Sequence, residues 1–280
     1  MSRSVADVLR ARRADLTPAE LRVAQTVLAD YPSAGLQTVG ALAAAAGVSP
    51  PTVVRLVAKL GWNGYADLQA RLRAELSTRS AGPADLLPAG PRDPSSVLGR
   101  IEAGVGAALA QTLRGTDPVE FSKAVGLLAD RDRPVLLAGG RVSQPLADYL
   151  GRFLTLLRPG VRVVRPDPSA RALGLLDTGR GATVVVFDYR RYDSGIVGFG
   201  REAARRGAKV VLCTDPYLSP LSAAATVLLT SVVEGPPPFV TLVPAMALAE
   251  ALVLGVVDAG GPALRRRLAS FDRLVGEATS

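Results

Sequence analysis

Between Ser77 and Ser96 the chain reads STRSAGPADLLPAGPRDPSS. This stretch is rich in serine, proline and glycine and has no sustained hydrophobic period, so it suits neither a core helix nor a strand. It separates two segments whose apolar residues recur in different patterns. Residues 1–77 are expected to form one domain, 78–96 a linker and 97–280 a second domain, which suits a length of 280 residues.

The first segment reads as all-helical. Thr17-Pro18 followed by Glu20 has the form of a capping box, with a hydroxyl N-cap, a proline in the first turn and a glutamate at the third helical position. Leu21, Ala24, Val27 and Leu28 then recur at helical spacing, and Tyr31-Pro32 ends the helix. Further helices are expected at Thr38–Ala46, Pro50–Leu60 and Tyr65–Leu76. In the turn Gly47-Val48-Ser49, Gly47 supplies the positive φ that a side chain resists. Ser49 is placed to cap the next helix, Pro50 to begin it and Gly61 to stop it.

Two short helices about such a turn form a helix-turn-helix, whose second helix enters the major groove of DNA. On that helix Val53, Leu56, Val57 and Leu60 make the inward stripe, and Thr52, Arg55 and Lys59 fall on the outward side. Ser49, Pro51, Thr52, Arg55 and Lys59 are the candidate DNA-contacting residues. Arg55 can fork to guanine O6 and N7, Thr52 can meet a thymine methyl or a phosphate, and Ser49 and Lys59 suit backbone phosphates. The alternative is an ordinary helical hairpin with a solvated polar face.

Beyond residue 96 the pattern alternates. Helices are expected at Ser96–Leu113 and Pro118–Asp130. Strand Val135–Ala138, helix Pro145–Leu157, strand Val161–Arg165, helix Ser169–Leu176 and strand Thr183–Asp188 follow. Helix Gly195–Arg206, strands Lys209–Cys213 and Thr226–Leu229, and an apolar helix complete the series. Valine- and leucine-rich runs alternating with helices predict a parallel sheet covered on both faces. Ligands of such sheets sit beyond the carboxyl ends of the strands.

Composition narrows the chemistry. The chain has no histidine and one cysteine, Cys213. Nucleophiles paired with histidine, imidazole zinc sites, thiolate metal cages and an intrachain disulfide are excluded within one chain. A reduced cytoplasm is the expected compartment, and no cofactor or metal is implied. The 33 basic against 25 acidic residues give a net charge of +8, which favours a polyanionic partner or an anionic ligand. Lys59, Lys123 and Lys209 are the only lysines. The basicity is therefore arginine, the better residue for forked recognition of phosphate or guanine, although a GC-rich genome alone would enrich it. Residues 1–80 hold 10 basic and 6 acidic groups, so half of the excess charge lies on the smaller segment.

The mean hydropathy of +0.25 is high, and Phe239–Val257 is about long enough to span a bilayer. Pro244 interrupts that run and Glu250 lies within it, at a cost of roughly 2.5–3.5 kcal/mol for a central carboxylate. A buried core helix and no membrane partner are expected. MSRSVADVLRARR lacks the apolar core of a secretory signal.

The residues around the turn carry a family resemblance. Leu16-Thr17-Pro18-Ala19-Glu20 comes first, then Ala43, Gly47, Val48, Ser49, Thr52, Val53, Arg55 and Leu56. Lys59-Leu60-Gly61-Trp62-Asn63-Gly64-Tyr65-Ala66-Asp67-Leu68 closes the pattern. Together they resemble the N-terminal domain of RpiR-type (MurR/RpiR) transcriptional regulators. The closing block is the specific part, because most helix-turn-helix families lack it. Trp62 and Tyr65 are expected to pack the last helix on the core.

The resemblance implies a second domain of the sugar isomerase (SIS) type, a flavodoxin-like sandwich with a parallel sheet that senses phosphosugars. The family's first loop, G-x-G-x-S, reads here Gly139-Gly140-Arg141-Val142-Ser143. Ser143 matches the phosphate-binding hydroxyl, and Arg141 replaces the second glycine. The helix that opens at Pro145 would attract an anion at its N-terminus. The family's second loop, S-x-S-G-x-T, is replaced by Asp188-Tyr189-Arg190-Arg191-Tyr192-Asp193. Thr214-Asp215-Pro216 and Leu218-Ser219-Pro220-Leu221 resemble a T-x-x-x-S-P-L-A segment in which Ser219 caps or turns the chain.

Gly139, Gly140, Arg141, Ser143, Asp188, Arg190 and Arg191 are the candidate effector-binding residues. Two readings stay open. In one, the arginines and Ser143 form an altered anion pocket, with Asp188 orienting an arginine or binding a sugar hydroxyl. In the other, the pocket is degenerate and its charges form a structural ion-pair cluster. Isomerases sharing the fold use a glutamate and often a histidine, and Glu250 is the one unusually placed acid: buried, it would have a raised pKa, and otherwise it caps a neighbouring amide or faces solvent at the helix edge. The expectation is a transcriptional regulator, not an enzyme. It binds operator DNA as a homodimer or homotetramer and answers to a small anionic sugar-derived effector. The rivals are a sugar-phosphate isomerase with a fused helical domain, and a regulator whose second domain only oligomerises.

Overall fold

A computed structural model describes residues 4–87, 90 and 96–279. The expected linker lies partly outside these residues. The chain forms two compact units, one of residues up to Asp85 with Pro216–Ala223, the other of Leu86–Asp215 with the residues from Ala224 onward.

The helices of the first unit are α1 (Val5–Ala11), α2 (Pro18–Ala29), α3 (Ser33–Leu36), α4 (Val39–Ala45), α5 (Pro50–Lys59) and α6 (Tyr65–Ser80). The capping box forms: the Thr17 hydroxyl accepts from the Glu20 amide, and the Glu20 carboxylate accepts from the Thr17 amide at 2.9 Å. Gly47 takes φ +62°, and the chain bends by 101° between α4 and α5, within the range of a helix-turn-helix. Leu9, Val27, Leu42, Val53, Leu56 and Trp62 are buried around one core, each large apolar side chain contributing roughly 1.5–3 kcal/mol. The Tyr65 hydroxyl donates to the carbonyls of Gly35 and Gln37, tying α6 to the end of α3.

The sequence pattern does not announce α1 or α3. α1 buries Val5, Ala6 and Leu9, and its Val5 amide donates to Glu75 Oε1 on α6 at 2.7 Å. The Tyr31 hydroxyl donates to the other Glu75 oxygen. Burial raises the pKa of this carboxyl above its ordinary value. α6 continues to Ser80, past the boundary expected at 77.

The second unit contains α7 (Val97–Gly115), α8 (Pro118–Ala129), β1 (Val135–Gly139), α9 (Gln144–Leu157), β2 (Val161–Val163) and α10 (Pro168–Leu176). β3 (Thr183–Phe187), α11 (Ser194–Arg205), β4 (Lys209–Thr214), β5 (Val227–Thr230), α12 (Val243–Asp258) and α13 (Pro262–Thr279) follow. The strands are parallel in the order β2-β1-β3-β4-β5, with Val135 in register with Val161 on one side and Thr183 on the other. Every residue of β1 and β3 is buried, which explains their continuous apolar runs. Leu128, Leu146, Leu150 and Leu252 from α8, α9 and α12 cover Leu137 and Val185 on one face. On the other face Gly174 of α10 lies close to Phe199 of α11 and Leu136 of β1. Because β2 and β3 lie on opposite sides of β1, the topological switch point falls at the carboxyl ends of β1 and β3.

α12 begins at Val243 with Pro244 in its first turn, so the proline starts this helix rather than interrupting it. Leu248, Ala249, Leu252 and Val256 are buried, as a core helix requires. Glu250 is exposed and accepts from the Tyr149 hydroxyl at 3.2 Å, so it faces solvent at the helix edge rather than the core. Among the described residues no single helix is long and apolar enough to cross a membrane. Cys213 is fully buried in β4, and burial pushes its thiol up to about 12. Arg158, 2% exposed at the end of α9, donates to the carbonyls of Leu128, Asp130, Arg131, Arg133 and Pro159 and holds the connection from α8 to β1.

Candidate DNA-binding helix and ligand crevice

On α5 the polar residues expected to lie together divide into three settings. Arg55 is exposed, and its Nη2 donates to Thr52 Oγ1 at 3.3 Å. Thr52 is only 5% exposed. Its position lies about 90° around the helix from the centre of the buried stripe, where neighbours decide its exposure. Ser49 stands at the N-cap, but its hydroxyl makes no capping bond; it lies 3.1 Å from Thr52 Oγ1 instead. Pro51 is exposed.

Lys59 Nζ lies 2.9 Å from Glu20 Oε2, and the Lys59 carbonyl accepts from Arg12 Nη2 at 3.4 Å. The Glu20 carboxyl is 7% exposed as a residue. The Thr17 amide and then Lys59 hold its pKa below the ordinary value. One carboxylate thus closes the start of α2 and secures the end of α5. The first of these roles is legible in the capping pattern; the second joins residues far apart in sequence.

At the end of β1, Gly139 admits no side chain: a Cβ there would lie 2.5 Å from Cα and N of Gln144. Ser143 is 3% exposed. Its hydroxyl accepts from the Gly140 amide at 3.0 Å and donates to the Phe187 carbonyl at 2.6 Å. It therefore stitches the first loop to the end of β3, and donating its one hydrogen to a phosphate would require the bond to Phe187 to be given up. The amides of Ser143 and Gln144 donate to the Gly140 carbonyl at 3.1 and 2.9 Å. The first turn of α9, where an anion was expected, thus has these amides engaged within its own loop. Arg141 is exposed.

In the second loop Asp188 is 1% exposed, and its Oδ1 accepts from the Asp193 amide at 3.1 Å. The Arg190 side chain is 8% exposed; it pairs with Glu234 and lies 4.0 Å from Asp215. Tyr192 donates to the same Asp215 at 2.8 Å. Arg190 accordingly sits in an ion-pair cluster, whereas Arg191 is exposed. Asp193 caps α11, its Oδ1 accepting from the amides of Gly195 (2.8 Å) and Ile196 (3.1 Å). Arg171 Nη2 of α10 lies 3.7 Å from that oxygen. No motif marks Arg171, a single arginine on an amphipathic helix whose partner belongs to another element. In the segment after β4, Ser219 Oγ accepts from the Leu221 amide at 3.2 Å and turns the chain.

A helix-turn-helix followed by a parallel α/β sandwich with a β1/β3 switch point defines a DNA-binding regulator carrying a sugar-isomerase-type domain. The family model described as a helix-turn-helix domain of the rpiR family matches residues 4–79, and the SIS domain model matches residues 127–255. The HTH-type transcriptional regulator HexR of Pseudomonas aeruginosa is 27% identical over 228 residues, covering 81% of this chain and 78% of that protein. The chain thus joins a helix-turn-helix domain of the rpiR family to an SIS domain, the domain makeup of an RpiR-type regulator.

Solved structures share the fold. The sugar isomerase domain of an RpiR transcription factor from Sphaerobacter thermophilus is 23% identical, with a TM-score of 0.58 over 65% of this chain and 99% of that one. The Vibrio vulnificus NanR protein complexed with ManNAc-6P is 19% identical, with a TM-score of 0.55 over 96% and 97% of the two chains. A Listeria monocytogenes protein described as a putative sugar-phosphate isomerase also shares the fold, at 17% identity and a TM-score of 0.50 over 60% of this chain and 93% of that one.

Proposed function

We propose that this chain is an effector-controlled transcription factor in which α5 reads operator DNA and the switch point of the sheet receives a small anionic, sugar-derived ligand. The observation that carries this reading is Arg55. It is exposed on the second helix of the helix-turn-helix, steadied by Thr52, and suited to fork to guanine. Ser49 and Pro51 stand beside it at the groove. Thr52 acts from beneath, and Lys59 acts at the far end of α5 through Glu20. A homodimer or homotetramer would present paired helices to a pseudo-palindromic operator.

For the effector, Arg141 and Arg191 are the exposed cations of the two loops. Gly139, Gly140, Ser143, Asp188 and Arg190 shape and hold those loops. The ManNAc-6P complex of NanR supports a phosphorylated sugar. The reading gives residues 1–77 to DNA binding and 97–280 to effector binding and self-association. It places the protein in the cytoplasm and assigns it no turnover. The absence of histidine and the exposed position of Glu250 support the last point.

Arg55→Ala is expected to weaken binding of the full chain to a duplex selected from a random-sequence pool by about 1–3 kcal/mol, with relaxed base preference. Unchanged affinity would refute the assignment of α5. A phosphosugar panel that includes N-acetylmannosamine 6-phosphate should raise the melting temperature through at least one compound, and Arg141→Ala with Arg191→Ala should remove that rise. A flat panel refutes the effector, and turnover of any compound in it refutes the non-enzymatic reading.

A further inference from the structure

The exposed surface of α5 is more apolar than its sequence role suggests. Its exposed residues are Pro50, Pro51, Val54, Arg55, Ala58 and Lys59. Lys59 is engaged by Glu20 and Thr52 is buried. Pro51, Val54 and Ala58 succeed one another at intervals of three and four, so they form one ridge. Helical geometry centres the outward direction on Pro51 and Ala58, with Val54 on one side and Arg55 on the other. Val54 is 47% exposed; among α1 to α6 the other large apolar side chain so exposed is Leu76 on α6.

A single exposed valine is ordinary on a protein surface. A ridge along the middle of a groove-facing helix is a different matter. Proline, valine and alanine side chains offer no donor or acceptor to a base edge. The apolar mark that a base pair presents in the major groove is the C5-methyl group of thymine. We infer that Pro51, Val54 and Ala58 read thymine methyl groups, with Val54 as the main contact, beside the base that Arg55 recognises. The inference rests on α5 being the groove-reading helix, and it moves the thymine contact from Thr52 to Val54.

The test uses the full chain and a duplex selected from a random-sequence pool. Each thymine is replaced singly by deoxyuridine, which removes the methyl group and keeps the base pair. At one thymine or more per half-site, the replacement should weaken binding about fourfold, the worth of one buried methyl group. Val54→Ala, an exposed substitution that leaves the core intact, should bind the thymine and deoxyuridine duplexes alike at that position. Val54→Thr, which keeps one methyl group, should retain part of the difference. If deoxyuridine has no effect in a duplex that Arg55→Ala weakens, or if its effect persists in full in Val54→Ala, the methyl contact is overturned. If no duplex is enriched, or Arg55→Ala leaves binding unchanged, the assignment of α5 falls and the inference falls with it.

Discussion

Glu20→Gln and Lys59→Gln, made singly and together, distinguish a clamp on α5 from a direct phosphate contact. Glutamine at position 20 can still close the capping box on Thr17, so the substitution removes the ion pair and keeps the start of α2. The pair is 2.9 Å long, with the lysine and glutamate side chains 36% and 10% exposed. Hydrogen bonds to charged groups contribute about 1.5–3 kcal/mol, whereas exposed ion pairs give about 0.2–1 kcal/mol. With the ammonium one-third in water, about 1 kcal/mol bounds what the clamp can pass to DNA binding. That corresponds to about a fivefold loss of operator affinity.

The salt dependence separates the two roles. A lysine that only clamps releases no counterion, so Lys59→Gln keeps the wild-type slope of log K against log salt. A phosphate ligand would give up about 0.9 of that slope. The sign for Glu20 also differs, because a carboxylate that merely competes with phosphate would, once neutralised, tighten binding. The double variant has the wild-type net charge, and its loss should equal that of either single variant, because both remove the same interaction. Fluorescence anisotropy on a labelled duplex at several salt concentrations reads all three quantities. Tighter binding by Glu20→Gln, or a flattened slope in Lys59→Gln, refutes the clamp.

Three further outcomes are expected. Arg158→Met strips five carbonyls of a shared donor and should cost about 2–4 kcal/mol in urea unfolding; a loss within ordinary surface scatter would contradict its role. Gly139→Ala drives a Cβ to 2.5 Å from the Gln144 backbone and should cost at least about 1–3 kcal/mol, whereas Gly179→Ala, with nothing within 4 Å of its Cβ, should cost much less by the same measurement. The Glu75 carboxyl keeps its proton to higher pH in the folded chain than in the unfolded one, so its contribution to stability falls as pH rises from the ordinary 4.5 through the folded value. Urea midpoints over that window should show the fall in the wild type and a smaller one in Glu75→Gln.

Local signals carried much of the fold. Thr17, Pro18 and Glu20 mark the start of α2, and the apolar runs of β1 and β3 are continuous because both faces of the sheet are covered. What sequence conceals is the side of a boundary position. At Val53-Val54 the helical spacing already separates the pair, and Val53 enters the core while Val54 stays in solvent. At Thr52 the spacing misleads, since a polar side chain at the rim of the stripe is buried once Ser49 and Arg55 close on it. At the crevice, the loop sequence displays three arginines but not their partners. Glu234 and Asp215 engage Arg190, and they lie on later connections of the sandwich. Long-range ion pairs have no period to read, which is also why Arg171 and its contact with Asp193 go unannounced.

The hydrogen bond from Arg55 to Thr52 has a consequence for the free energy of association. A free arginine side chain samples many rotamers, and freezing a rotamer-rich side chain on binding costs about 0.5–1.5 kcal/mol. Here part of that entropy is already lost on folding, because Thr52 Oγ1 restrains one Nη2 hydrogen before any DNA arrives. A guanidinium has five N–H donors, so enough remain for a forked pair with guanine. Thr52 can therefore matter to operator affinity without touching a base, through the motion of Arg55 that it prevents.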